Sequence, residues 1–405
     1  MPVLFEPSCF LVDRVDYSEY FLTMPAPQDT PQEHLKLAAA VAERLSRDRA
    51  LPLLEKYFGP SELRAETLQS RRENFMRLGL NPDSPHTWIE GQSATDNQLV
   101  GAQIWGIVLK NPESYQVTTI DAPTGIRGRL VEGPDISMMY LASIVGVEQG
   151  GLLPAGRARQ ARRMFELAAQ TLNSQGFEYR DVVRTWIYMA ELLEWYDTFN
   201  IVRNRFHAEQ NVLGSGSSPF PASTGIQGHS GEEECLMDLL AVRGGARERR
   251  EVRPLLTSGR QNQAFDYGSA FSRGMSMVRG GITTTLVSGT ASIDDDGNSK
   301  HIDNPAAQIL ETLDCLRAVL DAAGAELTNI CSGVLYYKDQ RTLEAWKRLT
   351  YQTDLARLPL LPVHADVCRE ELLVEIEAIA AVPAVRSSES IQFNQGRQGT
   401  MEVRV

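Results

Sequence analysis

Two glutamates separated by a single residue offer the clearest chemistry in this chain. In Val374-Glu375-Ile376-Glu377-Ala378 the period of two puts Glu375 and Glu377 on one face of a strand and Val374, Ile376 and Ala378 on the other. On a solvated face this is ordinary alternating charge. In a cleft, desolvation raises a carboxyl pKa until the group can donate or shuttle a proton, and the pattern leaves both readings open. A small anionic substrate also needs fixed cations, and a guanidinium suits a carboxylate because it donates two parallel hydrogen bonds. Arg184 in VVRTW, Arg273 in YGSAFSRG and Arg369 next to Cys368 are the candidates.

Other chemistries find little support. Cys9, Cys235, Cys315, Cys331 and Cys368 are scattered, odd in number and free of CxxC spacing, so neither a disulfide framework nor a zinc site is expected. The six histidines form no HExxH or HxH pattern, and a lone histidine such as His207 reads as structural. Neither cofactor nor metal is indicated. An excess of 52 acidic over 40 basic residues, a formal charge of -12, repels phosphate backbones and argues against a nucleic-acid partner. The longest apolar runs, such as Ala378 to Val382, are too short to span a bilayer, and a cytoplasmic location is expected.

The elements that must carry these residues recur in order. A strand at Ile136 to Val147 leads to a helix, Gly156 to Ser174, that Gly176 stops. Strand Asp181 to Met189, helix Tyr196 to Gln210, a Gly/Ser/Pro loop from Gly214 to Gly231 and strand Cys235 to Val242 follow. From Thr283 the sequence repeats this order, with Gly324 matching Gly176, Ile330 matching Val182 and Tyr336 matching Tyr188. The constant offset predicts an internal duplication of α/β (α+β) units, each a mixed sheet covered on one face by two helices. Before it, a helix over Gln32 to Tyr57, a charged helix over Ser61 to Gly79 and short strands at Trp88 to Glu90, Leu99 to Leu109 and Tyr115 to Ile120 suggest an N-terminal extension: a small β platform with a helical insertion. The boundaries expected are 1–123 for this extension, 124–255 and 256–385 for the two units, and 386–405 for a tail.

VEIEAIA at the end of such a unit resembles the closing strand of the Rid (YjgF) family. CREELLVEIE preceded by VHAD, together with VVRTWIY, PASTGIQGH leading into LLAVRGG, and LVSGTASI, is similar in residues and order to the chorismatases, which carry a Rid-like domain and cleave chorismate. The resemblance runs over roughly 125–382 and implies two tandem Rid/chorismate-mutase-like units. It also implies that Glu375 protonates the methylene carbon of an enolpyruvyl ether, giving an oxocarbenium-like centre that water or a ring hydroxyl attacks, with loss of pyruvate. In that family alanines at two pocket positions accompany a dihydrodiol product, whereas glycine and cysteine accompany 3-hydroxybenzoate; Gly289 and Cys368 resemble the second subgroup. Arg273 and Tyr267 match the family's arginine and its preceding Tyr-Gly segment, and Thr224 and Gly225, in a loop before His229, are expected to offer backbone donors.

Three departures qualify the resemblance. Glu232, Glu233 and Glu234 stand where the family tends to have glycines, and an acidic cluster beside the pocket would oppose a dianion. His364 stands where simple Rid deaminases keep the arginine that grips their imino acid. The N-terminal region is longer than the family leads one to expect. The alternatives to a chorismatase-like enzyme are a Rid-type hydrolase or deaminase acting on another enamine or imine, and a non-catalytic scaffold. Rid units associate in threes, so a homo-oligomer, with a trimer favoured, or an equivalent packing of the copies is what the resemblance implies.

Overall fold

The computed structural model describes residues 7–27, 32–91, 99–122, 125–134, 136–214, 218–228, 232–244, 251–351 and 353–384, with the side chain of Tyr267 not included. The expected 386–405 tail and His229 lie outside the described residues.

Three mixed sheets make up the chain. The first has strand order β1-β2-β5-β3-β4, from β1 (Ser8–Asp13), β2 (Tyr17–Pro25), β3 (Leu51–Gly59), β4 (His86–Glu90) and β5 (Gly101–Leu109), with helices α1 (Glu33–Asp48) and α2 (Ser61–Arg77). The second is β10-β9-β11-β8-β7-β6, from β6 (Gln116–Asp121), β7 (Arg127–Glu132), β8 (Ile136–Val145), β9 (Val182–Met189), β10 (Ala222–Gln227) and β11 (Cys235–Gly244), with α3 (Arg157–Ser174) and α4 (Leu192–Glu209). The third is β12-β13-β14-β17-β15-β16, from β12 (Val252–Leu255), β13 (Gly274–Arg279), β14 (Ile282–Ala291), β15 (Ile330–Tyr337), β16 (Leu360–His364) and β17 (Val374–Pro383), with α5 (Pro305–Asp321) and α6 (Gln340–Tyr351).

Setting β6 and β12 aside as added edge strands, the three sheets share one topology, including the parallel pairs β3 with β4, β9 with β10 and β15 with β16. The expected duplication is therefore a triplication, and the N-terminal platform is itself a copy. Its first helix is shorter than expected: Arg49 takes a left-handed conformation that closes α1, and Leu51 to Tyr57 forms part of strand β3. The parallel edge strands β10 and β16 lie in segments read as loops, because Pro221, Gly225, Pro359 and Pro362 interrupt the strand pattern.

Period two then sorts the side chains. Outward-facing residues of each sheet pack beneath that sheet's two helices, as with Val374, Ile376 and Ala378 under α5 and α6. Inward-facing residues of all three sheets, among them Phe58, Tyr188 and Tyr336, join a single shared core. The units meet cyclically, β4 against β8, β10 against β14 and β16 against β2, so one chain encloses the interior that a trimer of single-unit chains would enclose. Three polar side chains at matching registers reach across the three junctions. Gln103, opposite Lys56, donates to the Gly333 carbonyl at 2.7 Å. Asp238, opposite Trp186, accepts from Thr87 at 2.5 Å. Glu377, opposite Val334, accepts from Arg184 at 2.7 Å.

Candidate active site

Glu375 sits one strand repeat from Glu377 on the inner face of β17, paired with Tyr336 on one side and Ala291 on the other. The matching positions of the other two units are Leu236, opposite Tyr188, and Gly101, opposite Phe58. Only one of the three equivalent places thus carries a carboxyl group. Space for it comes from the irregularity in β14 between Val287 and Thr290: a Cβ at Gly289 would lie 1.8 Å from Glu375 Oε1, so a side chain there and the carboxyl in its present position are mutually exclusive.

Glu375 is 4% exposed and has no hydrogen-bond or ion-pair partner among the described residues. Burial pushes its pKa up to about 8, the negative charge of Glu377 adds to the rise, and Arg184 works in the opposite direction. The group therefore holds its proton at neutral pH, as a general acid must. Glu377, by contrast, is paired with Arg184 and approached by the Tyr336 hydroxyl at 3.4 Å.

The Glu375 carboxyl faces a cleft of about 570 Å³ between the second and third units, shared with Arg273, Arg369, Gly225, Gly289 and Cys368. Arg273 is held by the Asn262 carbonyl, to which Nε and Nη2 donate at 3.0 and 2.7 Å. The carbonyl of Gly297 anchors Arg369 Nη1. Backbone carbonyls thus help to fix both guanidiniums, and the cleft sets these cationic side chains beside the buried carboxyl. Burial raises the Cys368 thiol to about 12, so it shapes the wall as a small neutral group and is no nucleophile.

Several expectations change. Arg184 does not line this cleft. Its strand parity turns it to the interior, where Nη2 is taken by Glu377 and by Thr224 Oγ1 at 2.6 Å. Thr224 and Gly225 lie on strand β10, not in a loop, and the Thr224 hydroxyl serves Arg184. Tyr267 ends a short 3-10 turn, Ala264–Tyr267, and its side chain lies outside the described residues. The acidic cluster is turned away from the cleft: none of Glu232, Glu233 and Glu234 lines it, and Glu234 pairs with Arg157 at 3.0 Å. His364 bonds the Lys338 carbonyl through Nε2 at 2.9 Å, also outside the cleft. His207 is buried between Phe165, Tyr179 and Phe220 rings, and burial lowers its pKa to about 3, as suits a structural residue.

Among the charged residues lining the cleft, one is missing from the sequence-based expectations. Arg203 is 2% exposed, lines the same cleft and bonds Asn200 Oδ1 at 2.6 Å. Its signal was legible, because Trp195, Phe199 and Arg203 recur every four residues on the buried face of α4, and an arginine within an apolar helical stripe is unusual. Among the described residues no group of three or more His, Cys, Asp or Glu side chains is placed to hold a metal, and no helix is long and apolar enough to cross a membrane.

Comparison with known proteins follows the same outline. The family model described as endoribonuclease L-PSP matches residues 264–382, which contain the third unit from β13 onward. A chorismatase of Streptomyces rapamycinicus is 29% identical over 262 residues, covering 60% of this chain and 75% of that protein. A chorismatase of Streptomyces hygroscopicus is 27% identical over 263 residues, covering 60% of this chain and 72% of that one. A chorismatase crystal structure superposes with a TM-score of 0.59 at 18% identity, over 91% of this chain and 99% of its own. At that identity the match speaks to fold alone. It nevertheless corrects one expectation, since so wide a coverage makes the N-terminal unit part of the shared fold and not an addition to it.

Proposed function

We propose that this chain, a chorismatase-like member of the Rid superfamily, cleaves the enolpyruvyl ether of chorismate or a similar small carboxylate with Glu375 as the acid. The carrying observation is a buried carboxyl in the same cleft as Arg273 and Arg369, with burial raising its pKa to about 8. The arginines hold the substrate carboxylates and bring the enol ether's terminal carbon to Glu375. Glu375 gives its proton to that methylene carbon, and positive charge develops on the ether carbon. Water or a ring hydroxyl adds there, the bond from that carbon to the ether oxygen breaks so that the oxygen stays on the ring, and pyruvate departs. Loss of a ring proton and of the neighbouring ring oxygen leaves the aromatic hydroxybenzoate, with no net consumption of water. The Glu375 carboxylate formed in the first step recovers a proton before the next turnover.

Gly289 and Cys368 line the cleft and favour a hydroxybenzoate-type product, 3-hydroxybenzoate in the chorismate case. Neutral Cys368 leaves the wall uncharged, and Gly289 lets the acid sit closer to the substrate than an alanine would allow. The dianion problem raised by Glu232 to Glu234 loses its force, because these residues do not line the cleft. The test is incubation with chorismate, followed by assay of pyruvate and chromatography of the aromatic product. Pyruvate and 3-hydroxybenzoate in equal amounts are expected, with none from a folded Glu375→Gln variant. Full activity in that variant would remove Glu375 from the role of acid, and an inert wild-type protein would direct the same acid to another enol ether or enamine.

A further inference from the structure

A second buried polar cluster occupies the shared interior, outside the Glu375 cleft. A small chamber is lined by residues of all three units, including Lys56, Gln103, Arg184, Trp105, Trp186 and Glu377. Lys56 replaces, in the first unit, the apolar residues Trp186 and Val334 of the other two. It is 6% exposed, and its Nζ stands 3.8 Å from the centre of the Trp186 ring and 5.6 Å from that of Tyr188. Among the described residues it has no hydrogen-bond or ion-pair partner. The Arg184 guanidinium carbon lies 4.8 Å from the same Trp186 ring. Its Nη2 is engaged by Glu377 and Thr224, while Nη1, buried, has no hydrogen-bond partner.

Two nitrogen donors from different units, each without a partner, therefore line one chamber and share one indole. Their chemistry differs. Arg184 is a fixed cation; Lys56 is an amine whose pKa burial lowers to about 8, against the pull of Glu377 and Asp238. About a tenth of it is thus free base at pH 7. A desolvated amine beside a second cation is the arrangement that makes lysine a nucleophile toward carbonyl carbon. Glu377 lines the chamber and is paired with Arg184, so the chamber suits a monoanion that also uses an amine lone pair better than it suits a multiply charged anion.

We propose that this chamber is a second ligand site, taking a small 2-oxo acid whose carboxylate pairs with Arg184 Nη1 and whose keto carbon forms a reversible imine with Lys56 Nζ. The nitrogen lone pair adds to the keto carbon, and the carbonyl oxygen, having gained two protons, leaves as water. A carbon–nitrogen double bond replaces the carbon–oxygen double bond, with no net oxidation or reduction. The small size of the chamber and its indole walls limit the acid to a short apolar tail. The site stands on these residues alone and does not require the reaction proposed at Glu375.

The probe is pyruvate with sodium cyanoborohydride, which reduces an imine to a stable secondary amine, applied to the full chain and read by peptide mass mapping. Lys56 should be modified at least about tenfold faster than an exposed lysine such as Lys36. Acetone, the same ketone without the carboxylate, should show no preference for Lys56. Arg184→Met, provided its circular dichroism matches wild type, should lose the preference, and Glu375→Gln should keep it, which separates this site from the reaction in the cleft. Labelling of Lys56 no faster than Lys36 would overturn the proposal, and so would an equal preference for Lys56 with acetone, because the chamber would then not recognise the acid.

Discussion

The junction between the second and third units and the junction between the first and second are built on one plan, yet only the former carries a buried carboxyl group at the position of Glu375. Both have an irregular inner strand, β14 between Val287 and Thr290 and β8 facing the shift between Met237 and Leu239. Both have an acidic residue reaching across, Glu377 to Arg184 and Asp238 to Thr87. The bulge holds Gly289 in one and Ser143 in the other, and the next inward position holds Glu375 in one and Leu236 in the other. A shared scaffold thus accommodates a buried carboxyl where a glycine clears room for it. It supports a sealed joint where Leu236 fills the same position and the Ser143 N–H donates to Asp238 at 2.8 Å. The carboxyl site is a local departure from threefold repetition, not a property of the repeated unit.

The largest effect expected is on stability. Arg184→Met leaves buried Glu377 with the Tyr336 hydroxyl as its remaining hydrogen-bond partner among the described residues, and loss of one partner of a buried ion pair costs about 3–5 kcal/mol. Thr87→Val at the sister junction removes one of two donors to Asp238 and should cost about 1–3 kcal/mol. Urea unfolding of both variants measures the difference, and a larger loss from Thr87→Val would invert the ranking of the two joints.

Next comes catalysis. Gly289→Ala must displace the Glu375 carboxyl from a contact of 1.8 Å, and a shift of that order costs about a hundredfold in turnover. Ser143→Ala, at the matching place, should leave turnover unchanged because Ser143 contributes its backbone N–H to Asp238. Equal effects on rate would mean that the bulge matters only as backbone.

A smaller effect is set by charge. Turnover should fall as pH rises through about 8, where Glu375 loses its proton. Glu377→Gln removes a charge that raises the Glu375 pKa and frees Arg184, which lowers it, so the falling limb should move to lower pH. Stability carries the same sign: the acid is protonated in both states below the ordinary carboxyl range, and the folded state loses ground as pH climbs from there toward about 8. An unmoved limb in Glu377→Gln would show that the two carboxyls do not interact. The smallest effect belongs to the third junction, where Gln103→Leu should cost about 1 kcal/mol in urea unfolding with turnover intact; a matching loss of turnover would tie that junction to the cleft.

Much of the third unit was legible in the sequence. The alternation in VEIEA fixed which residues share a face, and the recurring glycine stops at Gly176 and Gly324 marked the repeat. Arg273, Arg369, Gly289, Cys368 and Glu375 share a cleft that residue type and family resemblance pointed to. The N-terminal copy stayed hidden because its inner strands diverged: Lys56 and Gln103 stand where the sister units have apolar or acidic residues, and Leu51 to Tyr57 is rich in residues that also favour helices. Arg184 was misassigned because type alone does not say which way a strand residue points, and its partner Glu377 lies 193 positions away in sequence. Burial of Glu375 could not be read at all, since it depends on sheets from two units closing over one side chain.

The most direct test is a carboxyl-carbon NMR titration of protein labelled at its glutamate side chains, compared between wild type and Glu375→Gln to assign the signal. A Glu375 resonance that moves with a midpoint near pH 8 is the predicted result, because it reports an acid still protonated at neutral pH without reference to any substrate. A midpoint in the ordinary carboxyl range near 4.5 would contradict it, since the group would then be a carboxylate with no proton to give.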